Sequence, residues 1–237
     1  MRFLFGLITI LWLYGLCFLS QDAFAVPYTT LPSDTAPLLL TPPAHPDSAS
    51  LKKETRAIIN LQETADEQEI RESDSERNPK PEMIAMPVDA VLTRDRYPSL
   101  YALLDRAGET AGQAIGDAKR HWRITRPYLV DSDIKALIEA HDSYAYPSGH
   151  ATLGYIWAGI LGMIFPDKHK ALHDRAEEMA QHRVLVGMHY PQDLRGGKEL
   201  AFLVLGSLLT QPEFIRDLAM AKEESELGRE VIRESTH

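Results

Sequence analysis

The sequence predicts an all-α protein: a single helical domain with a buried central helix, preceded by an extended, proline-rich segment. Three observations carry this. Between Pro98 and Lys119, the residues Leu100, Leu104, Ala107, Ala111, Ala114, Ile115 and Ala118 recur at spacings of three and four, the stripe a core-facing helix needs. Between Ala151 and Phe165, Leu153, Ile156, Trp157, Ile160, Leu161 and Ile164 leave almost no polar side, so this helix is expected at the centre. Nowhere does the chain alternate apolar and polar residues with the period of two that marks a half-buried strand.

The chain has 237 residues and a net charge of −9. Three stretches are expected: 1–25, 26–82 and 83–237. Met1 to Ala25 reads as a secretory signal, with Arg2 as a positive start, an apolar run from Phe3 to Leu19 and Ala23-Phe24-Ala25 as a small-x-small cleavage pattern. The expected location is therefore periplasmic or secreted, with cleavage after Ala25. The run is long for a signal, so an uncleaved anchor is the alternative, and it would be the chain's one route to membrane proximity. The single cysteine, Cys17, lies inside this run, so a cleaved protein would hold no disulfide. The acidic balance argues against nucleic acid as a partner.

Val26 to Ser50 carries Pro27, Pro32, Pro37, Pro42, Pro43 and Pro46 and is expected to be extended, lying along the domain with Leu38, Leu39 and Leu40 as an anchor. Leu51 to about Ser75 is charged and helix-prone; Ile58, Ile59, Leu61 and Ile70 give it a thin apolar stripe, suited to an edge helix. Asn78-Pro79-Lys80-Pro81 breaks the chain. After the helix that ends near Lys119, Arg126-Pro127 marks another break. Asp131 to Ala140 is expected as a short helix. Pro166-Asp167 ends the central helix. Further helices are expected over Asp167–Gly187, Pro191–Leu209 and Pro212 to about Ile232. The central run of 15 residues is too short for a membrane span, which needs about 20.

Chemistry concentrates at Tyr146-Pro147-Ser148-Gly149-His150. Ser148 suits an N-cap and Gly149 lets a ligand approach the backbone. A helix starting here points free N–H groups and its positive end at whatever lies in front, an anion site with a histidine on its rim. Lys119 and Arg126-Pro127 lie upstream. Arg183, His189 and Asp193 lie downstream. The three pieces read K-x6-R-P, P-S-G-H and R-x5-H-x3-D.

In this order the pieces resemble the signature of the type 2 phosphatidic acid phosphatase superfamily, which also holds the bacterial class A non-specific acid phosphatases and the vanadium haloperoxidases. The resemblance spans roughly Asp89 to Thr210. The family usually has serine before the motif's arginine, where this chain has His182, a residue that could add a hydrogen bond or alter a pH profile. The extra N-terminal signature of many class A enzymes is not recognisable.

The residue chemistry agrees with the resemblance. Lys119, Arg126 and Arg183 would bind a phosphate dianion, with Ser148 and the Gly149 N–H adding hydrogen bonds. His189, oriented by the Asp193 carboxylate, would attack phosphorus and form a phosphohistidine. His150 would protonate the leaving oxygen and later activate water. The expected function is hydrolysis of small phosphorylated substrates with an acidic optimum and with no metal or other cofactor. Trp122, Tyr128 and Tyr146 are candidates for the rim. The alternatives are a vanadate-dependent haloperoxidase on the same residues and a phosphate-binding envelope protein without turnover. A metal-dependent phosphoesterase would rest only on His169 and His173, which read better as a solvated face. Relatives of this kind often self-associate, so the resemblance leaves room for a homo-oligomer.

Overall fold

The structure, a computed structural model, describes residues 25–88, 92–140 and 142–235, with the backbone alone from 229 onward. The expected leader lies outside the described residues except for Ala25. The described residues contain helices and no strand. In chain order the helices are α1 (Thr35–Leu39), α2 (Ala49–Thr64), α3 (Glu67–Ser75), α4 (Pro81–Ala85), α5 (Pro98–Trp122), α6 (Pro127–Val130), α7 (Gly149–Ile164), α8 (His169–Leu185), α9 (Pro191–Leu208) and α10 (Pro212–Ser235), with a 3-10 turn at Pro166–Lys168.

α7 is the hub. It packs on α8, α9, α5, α4 and α10, as a helix apolar on nearly every side must. Ile156, Ala158, Ile160 and Leu161 are completely buried. Two close approaches hold α9 in place. A Cβ on Gly197 would stand 2.6 Å from the Ser148 carbonyl oxygen, and one on Gly196 would stand 2.4 Å from the Tyr146 ring. α5 lies across α7, its whole predicted stripe buried, and the Trp157 indole N–H donates to the Leu104 carbonyl at 3.0 Å. The N-terminus of α5 has no side-chain cap of its own. Glu224 of α10 fills that role, accepting the N–H groups of Ser99 at 3.0 Å and Leu100 at 2.9 Å, a carboxylate at the positive end of a helix.

The proline-rich segment has no regular structure apart from α1 and is tied to the helices at several points. Tyr28, Leu31, Ala36 and Leu40 join the main core. The expected anchor is corrected here: Leu40 is buried, but Leu38 and Leu39 are 74% and 61% exposed, because the short α1 turns them outward while Ala36 faces in. Thr41 donates through its N–H and hydroxyl to Glu199 at 2.8 and 2.9 Å. The Ala44 N–H donates to Gln192 at 2.8 Å.

Two further expectations change. The charged stretch from Leu51 to Ser75 is two helices, because Asp66 caps α3 with a reciprocal Glu69 bond and so restarts the chain after Ala65. Asp131 to Ala140 is not helical. Its backbone bonds sideways: Lys135 N–H to Gln62 Oε1 at 2.9 Å, Gln62 Nε2 to the Lys135 carbonyl at 2.8 Å, and Leu137 N–H to the Val186 carbonyl at 3.2 Å. Among the described residues no helix is long and apolar enough to cross a membrane.

Because Gly197 touches backbone rather than the tip of a side chain, Gly197→Ala should force α9 away from α7. Thermal or denaturant unfolding is expected to show a loss of about 1–3 kcal/mol. Gly206→Ala, with open space around its Cβ, should show no loss.

Candidate active site

The site forms where α7 begins. Ser148 is buried and caps the helix, its hydroxyl accepting the Ala151 N–H at 3.3 Å. Its own N–H donates to the Asp193 carbonyl at 2.9 Å, which latches the start of α7 to the first turn of α9. In front of this helix start lies a cavity of roughly 390 Å³. Lys119, Arg126, Gly149, His150, Arg183 and His189 all line it. Of the residues expected at the site, Ser148 and Asp193 lie behind this lining.

Each cation comes from the end of a different helix and is held by carbonyl oxygens. Lys119, in the last turn of α5, donates to the carbonyls of Tyr144 and Ala145. Arg126 precedes α6 and its fork is held at all three nitrogens: Nε donates to the Ser143 carbonyl, one terminal nitrogen to the Ser143 hydroxyl and the other to the Met188 carbonyl, each at 2.8 Å. The turn that brings Arg126 in starts at Arg123, whose left-handed backbone (φ 51°) ends α5. Arg183, in the last turn of α8, is 1% exposed and donates to the Ser73 carbonyl, while its Nε has no partner among the described residues.

Removal from water weakens these charges. Burial, with Arg126 beside it, brings the Lys119 ammonium down to about 7. Burial lowers Arg126 and takes Arg183 down to about 10 against the pull of Glu76. Such a site is short of negative charge, and an entering oxyanion would supply it.

His189 is buried, 2% exposed, at the wall of the cavity. Its Nδ1 lies 3.2 Å from Asp193 Oδ2, which also accepts the Tyr190 N–H at 2.8 Å. A terminal nitrogen of Arg126 stands 3.4 Å from His189 Nε2. Arginine can only donate, so Nε2 is the acceptor and the ring proton is assigned to Nδ1, facing Asp193. Burial first, then Arg126, Lys119, His150 and Arg183, keep the ring neutral well below its ordinary value. Burial pushes the Asp193 carboxyl up to about 7 against the Tyr190 N–H. Across the cavity, His150 Nε2 donates to the Glu76 carbonyl at 3.0 Å.

Some contributors escape a sequence reading. Ser143 holds the fork of Arg126, and Ser73 and Glu76 at the end of α3 reach Arg183, His150 and His182. The break at Asn78-Pro79 was the only local sign that the chain changes course there. Arg77 and Glu139 form an ion pair at the mouth, beside Asn78, Pro79, Ile138 and Asp142. The aromatic rim candidates are elsewhere: Tyr146 is a core residue, with Trp122 edge-on to it at 5.0 Å, and Tyr128 is not part of the cavity lining. The His169 and His173 rings lie 4.5 Å apart, tilted by 36°, and no group of three or more His, Cys, Asp or Glu placed to hold a metal occurs among the described residues.

Three desolvated cations, two histidines and a helix start meet at one cavity, an arrangement whose chemistry suits a tetrahedral oxyanion. Comparison with known proteins shows what the chain is similar to. Residues 107–216 match the PAP2 superfamily. An acid phosphatase of Zymomonas mobilis subsp. mobilis is 32% identical over 139 residues, 56% of this chain and 52% of the relative. A non-specific acid phosphatase of Providencia stuartii is 29% identical over 138 residues, 56% of each. The chain thus spans about half the length of these curated relatives. The crystal structure of a bacterial vanadium-dependent iodoperoxidase superposes with a TM-score of 0.53 at 17% identity, covering 77% of this chain and 53% of that one, a likeness of fold alone.

The lowered Lys119 gives a direct expectation for anion binding. A bound anion favours the ammonium, which is present below about pH 7 and lost above it. Sulfate, whose charge is constant across this range, should therefore bind more tightly at pH 6 than at pH 8.5, by up to about tenfold per pH unit above 7. Isothermal calorimetry on Lys119→Met should show weaker binding with a flatter pH dependence.

Proposed function

We propose that this chain is an acid phosphatase, hydrolysing phosphate monoesters through a phosphohistidine on His189 without a metal. The carrying observation is the orientation of His189: proton on Nδ1 towards Asp193, lone pair on Nε2 beside the Arg126 guanidinium. The acid phosphatases among its relatives support the reading. The leader-like start supports a periplasmic or secreted location.

The substrate phosphoryl group would lie between Lys119, Arg126, Arg183 and the first N–H groups of α7, with Ser148 and Gly149 at its edge. Nε2 of His189 attacks phosphorus. The bond to the leaving oxygen breaks, and His150 gives that oxygen a proton. Because the Glu76 carbonyl keeps a proton on His150 Nε2, the proton that moves is the one on Nδ1. In the second half, His150 takes a proton from water, which attacks the phosphohistidine and releases phosphate and a neutral His189. The cations act on charge that is spread over the equatorial oxygens in both steps. Acid pH suits these roles: His150 must carry a proton to donate it, Lys119 is an ammonium, and His189 stays neutral because its own protonation is suppressed by burial and the neighbouring cations.

The test is turnover of p-nitrophenyl phosphate from pH 4 to 8 in excess chelator. Acid-side activity is expected in the parent, with a loss of about a thousandfold or more in His189→Ala. Trapped, acid-labile phosphate should be absent from that variant. Activity that keeps rising above pH 8, or that the chelator abolishes, would overturn the reading. Peroxide-dependent iodide oxidation in added vanadate, with no hydrolysis, would replace it with a haloperoxidase. Sulfate binding with neither activity would replace it with a phosphate-binding protein.

A further inference from the structure

We propose that Glu76 is a positioning residue for His150, its main-chain carbonyl holding the imidazole and its side-chain carboxylate fixing that carbonyl in place. This rests on the phosphatase reading only for the role of His150.

Glu76 sits just past the end of α3, and its N–H closes the helix on the Glu72 carbonyl at 3.2 Å. Its carboxylate is buried against α8, where it meets Arg175, His182 Nδ1 at 2.7 Å and Arg183 at 3.7 Å. Burial alone would raise this carboxyl, but the hydrogen bonds from His182 and Arg175 hold it below its ordinary value. The carboxylate is therefore a charged plug between α3 and α8, and a buried charge with several charged partners resists displacement. The carbonyl belongs to the same residue. It cannot move off His150 Nε2 without pulling the carboxylate from its partners. Ser73, one turn earlier, gives its carbonyl to Arg183, so the negative end of α3 faces both the phosphate cradle and the proton donor.

The consequence is a fixed tautomer. A carbonyl oxygen only accepts, so Nε2 keeps its hydrogen whether the ring is neutral or charged, and proton exchange is confined to Nδ1. His182 explains itself in the same network: at the position where the resembled family usually has serine, this chain has an imidazole bound to Glu76.

The experiment compares kcat/KM for p-nitrophenyl phosphate, whose leaving group departs as a stable anion, and glycerol 2-phosphate, whose alkoxide needs a proton. It is run on the parent, Glu76→Gln, His150→Ala and the double variant. Glu76→Gln should lose about tenfold or more on glycerol 2-phosphate and less than about threefold on the aryl ester. It should cost little further once His150 is gone. Equal losses on both esters, or losses that add in the double variant, would overturn the proposal. His182→Ala, which withdraws one anchor and leaves the charge, should show the same pattern more weakly.

A readout without turnover separates this from the phosphatase reading. In protein labelled with 15N-histidine, neutral His150 should be the Nε2–H tautomer in the parent and a mixture of tautomers in Glu76→Gln. One unchanged tautomer in both would overturn the positioning role. That tautomer change in a parent that hydrolyses neither ester would sustain the positioning role and remove the phosphatase reading.

Discussion

Three cations stripped of most of their water around one histidine are the constraint to which the rest of this structure answers. Lys119, Arg126 and Arg183 would each be better solvated outside. They stay inside because carbonyl oxygens from helix ends and loops replace the water they lost. Tyr144 and Ala145 serve Lys119, Ser143 and Met188 serve Arg126, and Ser73 serves Arg183. Neutral dipoles can satisfy a donor without neutralising its charge. The site therefore keeps its pull on an anion, which a ring of carboxylates would have cancelled.

The exceptions to that pattern are two buried carboxylates on opposite sides of the cavity, Asp193 and Glu76. Asp193 backs His189 and is itself pushed up by burial. Glu76 lies against α8 with Arg175 and His182 and is held down. Both belong to the ends of helices, and both couple a side chain to a backbone group within the same turn. Helix ends recur here because they are where a folded chain has unpaired polar groups to offer.

The helical frame was legible because packing leaves a period in the sequence. The stripe from Leu100 to Ala118 is buried throughout, and the run from Ala151 to Ile164 became the hub. The cavity lining was legible for a different reason: K-x6-R-P, P-S-G-H and R-x5-H-x3-D, in that order, resemble a family signature, and the residues of those pieces meet at one cavity. What stayed hidden was any partner supplied through the backbone. Nothing in Ser73, Glu76 or Tyr144 as residue types announces that their carbonyls will hold Arg183, His150 and Lys119. The stretch from Asp131 to Ala140 misled for a related reason, since its composition allows a helix and only the distant Gln62 and Val186 show why its backbone bonds elsewhere. Leu38 and Leu39 looked like an anchor from hydropathy alone, while the geometry of a five-residue helix chose Ala36 and Leu40 instead.

The proline-rich strap has a temporal consequence. Thr41 is bound to Glu199 and Ala44 to Gln192, contacts that cross 158 and 148 positions of the chain. Ser73 likewise waits for Arg183, 110 positions later. A growing chain emerging from the ribosome would hold the first half of these pairs with nothing to grip until α8 and α9 have been made. No partial chain therefore owns the cavity that Lys119, Arg126 and Arg183 line. The same long-range closures make assembly a late, concerted event, slower than the local helices alone would allow.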